Sequence, residues 1–368
     1  MAIIGIKSKL FSGDYEDILV TGVSGELPFT IEIDNKVILE ETYFADSSGE
    51  VRIKGIGNII TGYFNFPVLS FSDALIDTTA TCILTFIIGM PVSYVQKILY
   101  SSIRTGINID IGEPPLCIFL TRYTKKRTSV LRNELVSFFE NGQRIEIGMA
   151  YILEDKAKYT QFTFLTTSSS GNLIIKNISV PVVLSLLQSQ TGITLTEEKL
   201  LFYDLYSLSD TTINDKLHIE NDRRNFPSRR NLLYRNCFGV PETVTFTGAD
   251  ERSMELGGTY SYFSGAYRKT HTLPVPSDKI NTGYIDATVA DSFYDLVTSD
   301  KVFLYENGTI GDEITITDIE MTSKVPDNKP VSYTITYRPS ENKNARFEKE
   351  HHPFSSKVFD KTFDSTFN

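Results

Sequence analysis

Tryptophan is absent from this 368-residue chain, cysteine occurs three times and histidine four times. Each scarcity removes a class of chemistry. Cys82, Cys117 and Cys237 are too few and too scattered for a disulfide framework or a paired Cys-x-x-Cys metal site, and are expected as small buried apolar residues. His218, His271, His351 and His352 include no His-Glu-x-x-His pair and no second ligand at zinc spacing, so no metal or other cofactor is expected. Positive charge is also short: 36 Lys and Arg face 46 Asp and Glu, a net charge of −10. Affinity for nucleic acid comes mainly from neutralising phosphates, so a nucleic-acid partner is not expected. The longest apolar run, "CILTFIIGM" (82–90), is far below the roughly 20 residues of a membrane span. It meets Pro91 and reads as a buried strand. The start, "MAIIGIKSKLF", has no basic stretch followed by a long apolar one, so no secretory leader is expected. Gly55 and Gly57 lack the rest of a dinucleotide fingerprint, and neither a phosphate-cradling Gly-x-x-x-x-Gly-Lys-Ser/Thr nor a Gly-x-Ser-x-Gly elbow occurs. No enzyme activity is therefore expected.

What the chain does have is Tyr (19) and Phe (24) in abundance, together with many Ile, Val and Thr, a composition that leans toward strands. The length calls for two to three domains. One phrase occurs twice. "ADSSGEVRIKGIGNII" (45–60) returns as "TTSSSGNLIIKNISVPVV" (166–183), with Gly49 and Gly171 in the same place, 122 residues apart. Phe119 and Phe246 are set 127 apart in a second, looser match, where an apolar strand runs into a charged turn. Two related β-domains in tandem follow from this.

Alternation and turn residues supply the local reading. Residues 15–66 read as a meander broken at Asp34-Asn35 and Ser47-Ser48-Gly49. "NIITGYF" reads as one or two helical turns, "MPVSYVQKILYSSI" as a short helix, and "ATCILTFIIGM" and "LCIFLTRYT" as central strands. Asn141-Gly142 predicts a hairpin. "SVPVVLSLLQSQTGI" predicts a helix capped at Ser179 with Pro181 in its first turn. A helical turn near Ser292 to Val297 is followed by strands "EITITDIEM" and "VSYTITYRP". The fold expected is mainly β: tandem antiparallel sandwich-like domains at 1–145 and 146–268, a small C-terminal β domain at 269–340, and an extended aromatic arm at 341–368.

Four groups of side chains are candidates for function. Arg223, Arg224, Arg229, Arg230 and Arg235 crowd the segment 222–235; in an acidic chain such arginines pair with carboxylates of a neighbouring subunit or stay solvated more often than they grip phosphates. Phe354, Phe359, Phe363 and Phe367, with Phe347, are expected to dock the arm on another subunit, since phenylalanines are unfavourable in water. Tyr260, Tyr262 and Tyr267 in "GGTYSYFSGAY" are candidates for stacking on sugar rings, with Phe263 on the opposite face. Asp204, Asp210 and Asp215, or Asp286, Asp291 and Asp295, are the acids a glycosidase would draw on.

With "PFTIEIDNKVILEETYFADSSGEVRIKGI", "YRNCFGVPETVTFTGADERSMELGGTYSYF" and "ITDIEMTSKVPDNKPVSYTITYRPSE" taken together, the chain resembles virion structural proteins of tailed bacteriophages and prophages. Gly257, Gly258 and Tyr260 match the aromatic strand that follows a Gly-Gly pair in that group; the first half of the chain has no such glycines. The resemblance implies a tail or baseplate component, a ring or connector assembled in the host cytoplasm into the virion, with other tail proteins and further copies of itself as partners and no catalytic residues. The alternatives are a carbohydrate-binding module for host recognition and a glycan hydrolase.

Overall fold

The computed structural model describes residues 1–6, 10–64, 76–77, 80–89, 92–106, 119–129, 132, 134–139, 142–167, 172–209, 212–224, 229–285, 292–306, 308–321 and 331–340. It is mainly β, with antiparallel sheets and three short helices among these residues.

The first unit contains β1 (Ala2–Ile4), β2 (Ile18–Thr21), β3 (Glu26–Ile33), β4 (Lys36–Phe44), β5 (Glu50–Ile53), α1 (Ile56–Tyr63), β6 (Ile76–Asp77), β7 (Thr81–Ile88) and β8 (Val92–Leu99). A four-stranded sheet of order β4-β3-β7-β8 faces a three-stranded one of order β1-β2-β5. Alternation drives this arrangement. Leu27, Phe29, Ile31 and Ile33 of β3, with Cys82, Leu84, Phe86 and Ile88 of β7, point inward onto Ile18, Val20, Val51 and Ile53, and Ile56 and Ile60 of α1 close the same core. Each large apolar side chain so buried contributes about 1.5–3 kcal/mol. The β3–β4 turn places Asp34 and Asn35 at φ 50° and 64°, the double left-handed geometry that matches strand twist.

The second unit contains β9 (Lys125–Thr128), β10 (Leu135–Phe139), β11 (Arg144–Leu153), β12 (Lys156–Thr166), β13 (Leu173–Asn177), α2 (Val180–Thr191), β14 (Leu200–Ser209) and β15 (Thr212–Asn221). Its sheets have the orders β12-β11-β14-β15-β9 and β10-β13-β6. α2 starts after Ser179 with Pro181 in the first turn and ends at a left-handed Gly192, whose N–H bonds the Gln188 carbonyl.

Most strand pairings of the second unit repeat those of the first; the third strand of the small sheet differs, β1 lying beside β2 in one and β6 beside β13 in the other. β3 pairs β4 and β7, and β11 pairs β12 and β14; β7 pairs β8, and β14 pairs β15; β2 pairs β5, and β10 pairs β13. α1 and α2 occupy the same place in chain order. The turn at Asp34-Asn35 recurs at Glu154-Asp155, 120 residues on, again with two positive φ values. Even the parallel pairing of β9 with β15 has a trace in the first unit, a parallel bridge from Phe11 to Leu99.

The third unit is different. β16 (Arg230–Arg235), β17 (Pro241–Phe246), β18 (Asp250–Phe263), β19 (Ala266–Asn281), α3 (Phe293–Thr298), β20 (Val302–Glu306), β21 (Thr309–Met321) and β22 (Tyr333–Pro339) give one seven-stranded sheet of order β17-β16-β20-β21-β22-β19-β18. A shared apolar cluster joins the three units: Phe11 and Leu99 from the first, Leu120, Phe139 and Leu173 from the second, Cys237, Phe238 and Val240 from the third.

Several sequence expectations change here. The borders expected at 145/146 and 268/269 fall inside β11 and β19, because continuous strands carry the chain across both points. Within "MPVSYVQKILYSSI", expected as a helix, Val92–Leu99 form a strand, β8; Tyr94, Gln96 and Ile98 turn inward while Ser93, Val95 and Lys97 face out, a period of two. β10 and β11, the strands before and after the Asn141-Gly142 pair, belong to different sheets and therefore make no hairpin; Asn141 itself lies outside the described residues. β4 and β5 likewise separate after Ser47-Ser48-Gly49, so the 15–66 segment crosses between sheets and is no simple meander. Phe119 bridges Phe138 and Phe246 ends β17 in the third unit, so these two are not repeat partners. Residues 116–118 of "LCIFLTRYT", Gly171 and the whole 341–368 arm, with Phe347, Phe354, Phe359, Phe363 and Phe367, lie outside the described residues.

Candidate functional site

The first two units present edges at the same place in their topology. β4 is the outer strand of the first large sheet and β12 of the second, each the return strand of its hairpin. An edge strand carries a row of N–H and C=O groups without a strand partner on its outer side, ready to pair with another chain. The two edges differ in charge. β4 is exposed at Lys36, Glu40 and Glu41, β12 at Lys156 and Lys158, so one edge is acidic on balance and the other basic. Head-to-tail contacts between unlike surfaces are the kind that close into rings.

A second projecting element is the β18–β19 hairpin. Among the described residues, β19 pairs β22 over Asp278 to Asn281, and from there to the Ser264-Gly265 turn β18 and β19 pair only with each other. At about 3.3 Å per residue, its outer eleven or so residues reach about 35 Å. Tyr262 and Tyr267 stand at the tip, 65% and 79% exposed, their ring centroids 5.0 Å apart and their planes tilted by 63°. They offer two faces at an angle and no flat platform. The backbone of Tyr260 sits opposite Lys269, beside a register shift.

The five arginines of 222–235 do not share one patch. Arg223 reaches the Glu198 carbonyl. Arg224 forks onto Asp222, with Nε and Nη2 at 2.9 and 2.8 Å from its two oxygens. Arg229 bonds the Ser129 hydroxyl and the Arg224 carbonyl. Arg230 joins β16 to Asp250 and Glu306, and the buried Arg235 lies 3.9 Å from Asp300. Arg224, Arg230 and Arg235 meet carboxylates of the same chain, whereas Arg223 and Arg229 bond carbonyl and hydroxyl oxygens. Burial works to raise the Asp222 carboxyl, but hydrogen bonds from Arg224 and the charges of Arg224 and Arg127 outweigh it and hold the group below its ordinary range.

Residues missed in the sequence complete this region. Lys126 is buried, with Nζ 3.1 Å from Glu242 and 3.7 Å from Glu134 and 5.2 Å from the Tyr123 ring centre. Thr243 donates to Glu134, and Asn236 and Thr121 donate to Glu242. This network bolts β9 of the second unit to β17 of the third. The signal for it was present: "TKKRTSVLRNE" has four cations and one acid in eleven residues.

The acids considered for glycoside chemistry have separate structural duties. Asp204, buried on β14, holds His218 Nδ1 at 2.6 Å, Lys216 Nζ at 3.2 Å and the Tyr206 hydroxyl at 3.0 Å. Asp215, three rungs away along the β14–β15 pair, accepts from the Phe119 and Lys216 amides, and desolvation keeps its carboxyl raised. Asp295 pairs with Arg122 at 3.0 Å; Asp210, Asp286 and Asp291 lie outside the described residues, as do His351 and His352. No protein-family model matches the chain, and no curated protein matches it at significant similarity.

Proposed function

We propose that this chain is a structural component of a tailed-bacteriophage virion, a tail or baseplate ring or connector that acts through protein–protein assembly in the host cytoplasm. The observation that supports this most is the duplicated β-unit. Two copies of one topology, each with an edge strand of opposite charge character, give every subunit two quasi-equivalent surfaces, so that a closed ring of n chains carries 2n similar units. The partners are further copies of this chain and other tail proteins. The 341–368 arm, with its spaced phenylalanines, is assigned to docking on a neighbour.

Light scattering on the full chain and on a chain ending at Ser340 tests this. A closed oligomer that dissociates on truncation supports assembly through the arm; a closed oligomer indifferent to truncation supports assembly through the edges alone. A monomer that binds glycans, with binding lost in Tyr262→Ser or Tyr267→Ser, supports the second reading, a host-recognition module. The exposed tyrosine pair at the hairpin tip is the observation in favour of that reading.

A further inference from the structure

Where β9 of the second unit meets β17 and the segment after β19 of the third, a cavity of about 390 Å³ opens. That lies within the range of small-ligand sites, roughly 300–1,000 Å³. Its wall carries Lys125, Lys126, Arg127, Arg132 and Arg224, with Glu134 as the one carboxylate. Arg229 stands close enough to bear on Arg132 electrostatically. Salt bridges join Lys125 to Glu220, Lys126 to Glu134 and Glu242, and Asp222 to Arg127 and Arg224. Among the described residues the wall itself carries five cations and one carboxylate, inside a chain whose net charge is −10.

Arg132 is the buried guanidinium of this wall. Its side chain is 4% exposed. One Nη donates to the Arg127 carbonyl, but its Nε has no hydrogen-bond partner. A buried guanidinium with an unanswered donor is unfavourable by about 1–3 kcal/mol or more, which an incoming acceptor recovers. Burial, with Arg229 and Arg127 beside it, depresses its pKa to about 10, so the cation stays charged at neutral pH while lacking full compensation. The other wall is of a different character: the Thr243, Thr245 and Thr282 hydroxyls are joined by Val244, Ile285 and Phe293. Arg127 of β9, Arg132 and Arg224, which follows β15, line this one cavity from three parts of the chain, a set that suits an anion with oxygens in three directions better than a planar carboxylate.

We propose that this cavity is a binding site for a phosphate group, free or as a phosphomonoester, with Arg132, Arg127 and Arg224 as its donors. The site is separate from the edges assigned to assembly, and its occupant would lock the second unit against the third.

Isothermal titration calorimetry of the full chain with inorganic phosphate and with glycerol phosphate, at ionic strength matched by chloride, tests it. The expected result is saturable one-to-one binding of at least one probe. Tighter binding of glycerol phosphate assigns a phosphomonoester, and equal or weaker binding assigns free phosphate. Arg132→Met should weaken it tenfold or more, and so should Arg224→Gln, whose side chain is 63% exposed and whose loss leaves the core intact. Should Arg132→Met fail to fold, Arg224→Gln decides. No saturable binding of either probe, or binding unchanged in the folded variants, overturns the proposal.

Discussion

Replacing Lys126 by Met should destabilise the protein out of proportion to the size of the change. The ammonium is shared between Glu242 and Glu134, all three side chains being 5% exposed or less. Methionine fills the volume of the aliphatic stem but leaves two carboxylates buried without a cation. Removing one partner of a buried pair costs about 3–5 kcal/mol, whereas removing every charge together is close to neutral. The second and third units, which the network joins, span roughly 220 residues; at about 2.1 cal/mol/K per residue their unfolding entropy is about 0.47 kcal/mol/K, so the expected fall in Tm is about 6–11 °C. Calorimetric unfolding of Lys126→Met measures it, and the triple variant Lys126→Met, Glu134→Gln, Glu242→Gln should recover most of the loss. A fall below about 2 °C, which corresponds to less than about 1 kcal/mol, would show that the carboxylates do not depend on Lys126 and refute the reasoning.

Other outcomes follow from the same structure. Asp222 has a lowered pKa when folded, so it stabilises the fold above its unfolded value near 3.8 and loses that contribution as pH falls through the lower folded value; the stability gap between wild type and Asp222→Asn should be open at pH 7 and close in strong acid, as acid-to-neutral urea titrations would record. Burial pushes the Cys82 thiol up to about 12 and raises Cys237 as well, so peptide mapping after native alkylation should find both unmodified, and modified once the protein is unfolded. Gly57→Ala in α1 should destabilise by about 1–3 kcal/mol despite alanine's higher helix propensity, because overpacking outweighs it: the added Cβ would lie 2.6 Å from the Tyr15 carbonyl oxygen. Equal or greater urea resistance in that variant would contradict the close approach. Tyr262→Ser with Tyr267→Ser should leave the Tm unchanged, since both rings are mostly in solvent.

The β class and the helices after Gly55 and Ser179 were legible because each rests on local pattern: strand alternation, and Pro181 in the first turn after Ser179. Sheet membership was not. The Asn141-Gly142 turn carries the chemistry of a hairpin, yet turn residues specify only a chain reversal, and whether β10 and β11 then pair depends on which core each one's apolar face must cover. The Glu154-Asp155 turn was invisible for the opposite reason, having no glycine although both residues adopt positive φ. The arginines of 222–235 are neighbours in sequence, but the strand β16 carries Arg230 and Arg235 away to the acids of the third unit, while Arg224 and Arg229 gather with Arg127 and Arg132 from nearly a hundred residues earlier. Cavities between units are made by such long-range returns, which spacing does not encode.

Electron microscopy of the purified full chain, with the subunit contacts resolved, tests the assembly role most directly. The expected result is a closed ring in which the β3–β4 and β11–β12 hairpins alternate around the axis and the acidic edge β4 of one subunit or the basic edge β12 lies at each junction. A chain that stays monomeric at every attainable concentration, or an oligomer whose contacts leave both edges in solvent, would contradict it.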